Sequence, residues 1–204
     1  ELFEKGGPVM YLLLLCSLTV AAIAIDRFLL YRRASQGARA LEADVAAALR
    51  KKKLDEVAPA VKGKDNMVAH LIQSAVDARA AGEDVPMTLE AVYGEAAMLL
   101  RARLNYLSTI VTLAPLLGLL GTISGMIQSF SVFNLQAGQP MAITGGIGEA
   151  LIATATGLLV AIFALVVHTY FAQRMDMMLT LLEKTMNTLL AGFAANDGGH
   201  SHAS

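Results

Sequence analysis

Glu149 is the one formally charged residue between Arg103 and Arg174. On a helix in lipid a mid-bilayer charge costs about 2.5–3.5 kcal/mol on insertion scales. Such a carboxyl faces protein or water rather than acyl chains, and it is a functional candidate by default. It gains and loses a proton, so its chemistry points to protons or cations rather than to general solute binding. Hydroxyls accompany it: Thr154 and Thr156 follow on the same run, and Thr122 stands on the preceding one. A hydroxyl both donates and accepts, so it can serve water or a carboxyl. At 100° per residue, Ala153 and Thr156 share the Glu149 face and Thr154 lies about 140° away. Glu149 falls roughly 12 Å inside a run starting at Met141, and Thr122 roughly 16 Å inside a run ending at Phe133. Consecutive antiparallel spans would bring the two to similar depth. A polar conduit and a protonated, purely structural carboxyl both remain open from these residues alone.

The elements that position them are apolar helices. A helix rises 1.5 Å per residue, so about 20 residues cross roughly 30 Å of hydrocarbon. Val9–Ile25 is an uncharged run of 17 residues that reaches that length with Phe28–Tyr31. Asp26 and Arg27 then fall near an interface, where Arg27 is expected to snorkel. Two further runs qualify, so the expected order is an outer segment 1–8, spans at 9–31, 106–133 and 141–170, an outer turn 134–140, a helical domain 32–105, and a helical extension with a tail, 171–204. Pro115 lies inside the second span, where neighbouring helices make it tolerable. On that span Gly118, Thr122, Gly125 and Ser129 repeat at i, i+4, i+7 and i+11, and Gly121 and Gly125 form a G-x-x-x-G pair. Small residues let membrane helices approach closely, so Gly118, Gly121 and Gly125 read as packing positions. Met87–Arg103 runs toward the second span with no Gly or Pro between, which predicts one continuous helix. The amphipathic stretch Met175–Phe193 predicts an extension of the third span.

Of 204 residues, 55% are hydrophobic and 16% charged, below the ~25% charged residues usual for a soluble domain. The net charge of −1 offers no electrostatic case for nucleic acid. Residues 32–103 hold 12 of the 16 Lys and Arg. The positive-inside rule therefore places that segment and the C-terminus in the cytoplasm, with the N-terminus and the 134–140 turn outside. The basic cluster Arg50–Lys53 reads as a solvated helix face. Cys16, the only cysteine, sits in an apolar run and reads as a small buried residue. The first run lacks a basic leader and a small-residue cleavage site, so no cleavable signal peptide is expected.

Enzyme readings fare badly. An intramembrane aspartyl protease needs two acids deep in the membrane, and the spans hold one Glu, with Asp26 near an interface. His168 is near one end of its span, while Ser124 and Ser129 are toward the other side of the membrane. Gly145–Gly148 has no following Lys for a phosphate loop, and His200 with His202 makes no metal site. No enzyme activity, cofactor or metal is expected.

Two longer motifs carry a resemblance. The run from Leu113 to Met126, Leu-Ala-Pro-Leu-Leu-Gly-Leu-Leu-Gly-Thr-Ile-Ser-Gly-Met, resembles the second-span signature of the ExbB/TolQ/MotA family. The run from Gly148 to Leu158, Gly-Glu-Ala-Leu-Ile-Ala-Thr-Ala-Thr-Gly-Leu, resembles its third-span signature. The likeness covers all three spans, the large insert and the short turn. Three spans with the N-terminus outside match the ExbB/TolQ branch, because MotA-type subunits have four. The resemblance implies an all-α proton-channel subunit of the bacterial inner membrane, assembled as a homo-pentamer around two helices of an ExbD- or TolR-like partner. That partner would carry the main proton-bearing aspartate, and the motor would energise a TonB- or TolA-like protein across the periplasm. By position in the motifs, Thr122, Glu149 and Thr154 match the family's pore-lining polar residues. Thr156 falls where relatives often carry an aliphatic residue. A TolQ-like role in envelope maintenance is the alternative within the family.

Overall fold

The protein is described by a computed structural model. It covers the backbone of residues 7–51, 53–135 and 140–200, and the side chains there apart from 54, 132–135, 140–146, 149 and 197–200. The expected outer segment 1–8 and turn 134–140 therefore lie largely outside the described residues, as does the end of the tail. Among the described residues the fold is all helical. Helix α1 is Val9–Ser35 and α2 Ala38–Arg50; a 3-10 turn, Leu54–Glu56, leads to α3, Val57–Val61. There follow α4 (Met67–Ala81), α5 (Val85–Arg101), α6 (Leu104–Leu135) and α7 (Pro140–His200). Three stretches, in α1, α6 and α7, are long and apolar enough to cross a membrane. The chain divides into two compact units, Glu1–Asp26 with Arg103–Phe171, and Arg27–Ala102 with Ala172–Ser204.

The first unit is built from parts of the three apolar helices. Leu13, Val20, Leu107, Ala114, Ala153 and Ala164 are buried within it. Its outward surface is strongly apolar: Leu116 is 60% exposed, Leu159 67% and Ile162 59%. Water would not tolerate so continuous an apolar surface on a soluble protein. Lipid or other apolar protein matches it, which is the arrangement expected of membrane spans.

The second unit is a water-type helical bundle. Leu41, Val45, Val57, Val68, Leu71, Ile72, Leu89, Leu182 and Leu189 are almost fully buried, so α2, α3, α4, α5 and the distal part of α7 share one core. The helix ends follow local chemistry. Asn66 caps α4, its side chain accepting from the Ala69 amide at 2.8 Å and donating to the Gln36 carbonyl at 3.1 Å. Gly82, at φ 72, ends α4: its amide bonds the Arg79 carbonyl and the Glu83 amide bonds Ala78, a Schellman arrangement. Asp84 caps α5 by accepting from the Met87 amide at 3.1 Å, with Pro86 in the first turn, where its missing amide is harmless.

The distal part of α7 is fixed by three contacts. The Arg79 guanidinium lies 4.6 Å from the Phe193 ring centroid. Gly192 sits against Leu49 so closely that a Cβ would come within 2.8 Å of its side chain. The Lys184 ammonium lies 3.1 Å from Glu42 Oε1 and donates to Oε2 at 3.3 Å. Glu42 is 7% exposed, and its Oε1 has the charge contact but no hydrogen bond.

The continuous helix expected through Met87–Arg103 into the second span does not form. Ala102 turns to φ −52 and ψ 139, and Arg103 takes φ 67. The left-handed region costs an L-residue about 1–2 kcal/mol, and nothing local in the sequence announces it. Side chains from α1 supply the reason. Breaking the helix strips the last α5 carbonyls of their amide donors, and Arg27 donates to the Leu99 carbonyl at 3.0 Å while the Tyr31 hydroxyl donates to Leu100 at 2.9 Å. Beyond the break, the Arg103 guanidinium pairs with Asp26 at 2.8 Å. Arg27 is thus 4% exposed and committed to a backbone carbonyl, not snorkelling into water. Met175–Phe193, by contrast, is continuous with the third span within α7.

Lys184→Met strands the buried Glu42 carboxylate. Stability should fall by about 1–3 kcal/mol, the penalty of a buried acceptor left without a donor. The measurement is the unfolding midpoint of the purified protein in detergent. Combining it with Glu42→Gln should recover part of the loss, because no buried charge then remains.

Candidate functional site

The glycines of α6 meet α7 almost backbone to backbone. A Cβ on Gly118 would lie 3.0 Å from Thr154 Cα and 3.1 Å from the Ala153 carbonyl oxygen. On Gly121 it would lie 2.6 Å from Ala153 Cβ, and on Gly125 2.9 Å from Ala150 Cβ. The reverse contact is tighter still: a Cβ on Gly157 would lie 2.6 Å from the Ala114 carbonyl oxygen. Gly118, Gly121 and Gly125 on α6 therefore oppose Ala150, Ala153, Thr154 and Gly157 on α7. Both sets follow the three-and-four spacing of one helical face, and the pairing order is antiparallel. Val9 of α1 closes over Gly121, with Cγ1 3.6 Å from where a Cβ would stand.

The hydroxyls divide into two kinds. Thr122 donates to the Leu119 carbonyl at 2.7 Å, Ser129 to Gly125 at 2.7 Å and Thr156 to Ile152 at 2.8 Å, each within its own helix. Thr154 donates at 2.9 Å to the carbonyl of Gly118 on the other helix. Thr122, Thr154 and Thr156 are all half-buried, and Ser129 is buried. Pro115, also half-buried, lies inside α6 one turn before Gly118 and removes an amide from that stretch of the ladder. Glu149 is on α7, next to Ala150, and its side chain lies outside the described residues. Since Ala150 opposes Gly125, the backbone at 149 stands about one turn, roughly 5 Å, from the level of Thr122 along α6.

Thr154 thus belongs to the two-helix seam, while Thr122 and the backbone bearing Glu149 adjoin it, next in sequence to Gly121 and Ala150. The four-residue stripe read on α6 is rotated in the structure: Gly121 joins Gly118 and Gly125 at the contact, and Thr122 sits at its margin. Ala150, Gly157 and Ala114 were not read as packing positions, and Ala153 was read only as sharing the Glu149 face. The small size of Ala150, Ala153 and Gly157 at i, i+3 and i+7 on α7 was the available signal, but only the facing glycines gave it meaning.

Apolar helices of spanning length with a small-residue seam define a polytopic α-helical membrane protein. The sequence profile of the MotA/TolQ/ExbB proton channel family matches residues 60–184, which include α6 and the part of α7 that meets it. The chain belongs to that family, and to its ExbB/TolQ side by its relatives. ExbB-like protein 1 of Synechocystis sp. is 34% identical over 183 residues, covering 85% of this chain and 72% of the relative. The Tol-Pal system protein TolQ of Pseudomonas aeruginosa is 34% identical over 108 residues, covering 52% and 47%. The biopolymer transport protein ExbB of Salmonella typhimurium is 41% identical over 71 residues, covering 34% and 29%.

Gly157→Ala should be poorly tolerated, because the added methyl meets a backbone oxygen that cannot rotate away. Overpacking of this kind costs about 1–3 kcal/mol, and it should appear as a lower melting temperature and a smaller monodisperse fraction on size exclusion. Gly148→Ala is the control: among the described residues nothing lies within 4 Å of its Cβ position, so the variant should be at least as stable as wild type.

Proposed function

We propose that this chain is the channel subunit of an inner-membrane motor driven by the proton motive force, and that Thr122, Glu149, Thr154 and Thr156 form its polar set along the proton pathway. The observation that carries the reading is the α6–α7 seam, where Thr154 bonds Gly118 beside the helix turn that bears Glu149. A carboxyl in this setting is the only acid between Arg103 and Arg174, so a second proton carrier has to come from another chain. An ExbD- or TolR-like partner supplies it, with a homo-pentamer of this chain around the partner's helices. The basic residues of 32–103 hold that segment and the C-terminus in the cytoplasm.

The ExbB-like assignment, energising TonB-dependent outer-membrane transport, is favoured over a TolQ-like role in envelope maintenance. Its support is the match of 183 residues to an ExbB-like relative, against 108 to TolQ, although the match to ExbB of Salmonella typhimurium spans 71. A passive scaffold, with Glu149 protonated and only tying helices together, is the reading from another class. The three readings separate in vesicles and in deletion strains. With the partner co-reconstituted, Glu149→Gln should lower proton flux at least tenfold, about 1.4 kcal/mol in barrier. Wild-type flux in that variant would leave the scaffold as the correct reading. Restoration of TonB-dependent uptake, rather than of envelope integrity, in deletion strains would settle the ExbB-like role.

A further inference from the structure

Among the threonine and serine hydroxyls described on α6 and α7, Thr154 makes a cross-helix bond, and it does so where the two backbones lie close together. The Gly118 Cβ position is 3.0 Å from Thr154 Cα and the Gly157 Cβ position 3.0 Å from Gly118 Cα. The recipient carbonyl lies in a weak stretch of helix. Pro115 removes one rung of the ladder, and Gly118, Gly121 and Gly125 each lower helix propensity. A donor from outside therefore has most effect there. A threonine hydroxyl carries a single proton, and in Thr154 it is committed to Gly118 at 2.9 Å. Passing a proton through this hydroxyl would require breaking the seam bond in every cycle.

The geometry points to Thr154 as a positioning residue: its hydroxyl locks the rotation and register of α7 against α6, and it acts through the groups that this register places. Those are Thr122, one turn beyond Gly118, and Glu149, five residues before Thr154 and roughly 7.5 Å along α7. The inference rests on the proton-pathway reading for its effect on flux, but the bond itself does not. It separates two roles that position in the motif leaves merged, since a relay must exchange its proton and a lock must keep it.

The test uses the full complex with its partner in lipid. Labelling with carbonyl-13C glycine and 15N leucine selects the two Gly-Leu pairs, Gly118–Leu119 and Gly157–Leu158, and Leu158→Ile assigns them in solid-state NMR. Thr154→Ser keeps the donor, so the Gly118 carbonyl resonance should stay in place and flux should remain within about twofold. Thr154→Val removes it; the resonance should move and flux should fall about tenfold, the order expected when reacting groups shift by a fraction of an ångström. The pH midpoint of the remaining flux should also move, because the surroundings of Glu149 turn with the helix. Thr154→Cys, a weak donor, should lie between the two and serves if the valine variant fails to assemble. An unmoved Gly118 resonance in both the valine and cysteine variants overturns the lock. So does a moved resonance with wild-type flux and midpoint. Glu149→Gln should leave the resonance unchanged, so failure of the pathway reading and failure of the lock give different results.

Discussion

The contact between α6 and α7 is one in which main chain meets main chain. Helices in lipid gain little from hiding apolar surface, because acyl chains are as apolar as leucine. They associate through dense packing and hydrogen bonds instead. Both require close approach, and close approach requires that nothing project from the contact. The glycines at 118, 121, 125 and 157 meet that requirement. Once the backbones are this near, a side chain of one helix reaches a carbonyl of the other, as Thr154 does at Gly118. The Thr154 hydroxyl is held where it is because of this packing.

The same chain uses a different logic in its other unit. There large aliphatic residues go inward and the helix ends are capped by Asn66, Gly82 and Asp84, as in a water-soluble bundle. In the first unit small residues line the α6–α7 contact and many large ones face outward, although Leu13, Val20 and Leu107 are buried there too. One ion pair, buried Glu42 with the largely exposed Lys184, ties the distal part of α7 into the helical bundle. Its disruption is what costs, because the Glu42 carboxylate is then left buried without its cation.

The two motif runs, the apolar lengths and the alternation of charged and apolar segments were legible before any coordinates. So were the glycines as packing positions, since lipid leaves few other uses for a small residue at helical spacing. The break at Ala102–Arg103 was not legible. Its left-handed turn carries no Gly or Pro signal, and it exists because Arg27 and Tyr31 reach the freed carbonyls from a helix about 70 residues earlier in sequence. The expectation that Arg27 snorkels failed for the same reason: a guanidinium takes a buried carbonyl over water when the carbonyl is already in place.

Sequence by itself determined which segments are apolar helices, which family they belong to, and that one acid and a few hydroxyls stand among them. These follow from period and composition, which act over a few residues. Tertiary structure decided which small residue faces which, that Thr154 spends its proton on Gly118, and where α5 ends. Those depend on distances of about 3 Å between residues far apart in the chain. No local pattern encodes such a distance; it is set when two whole helices choose one rotation and one register.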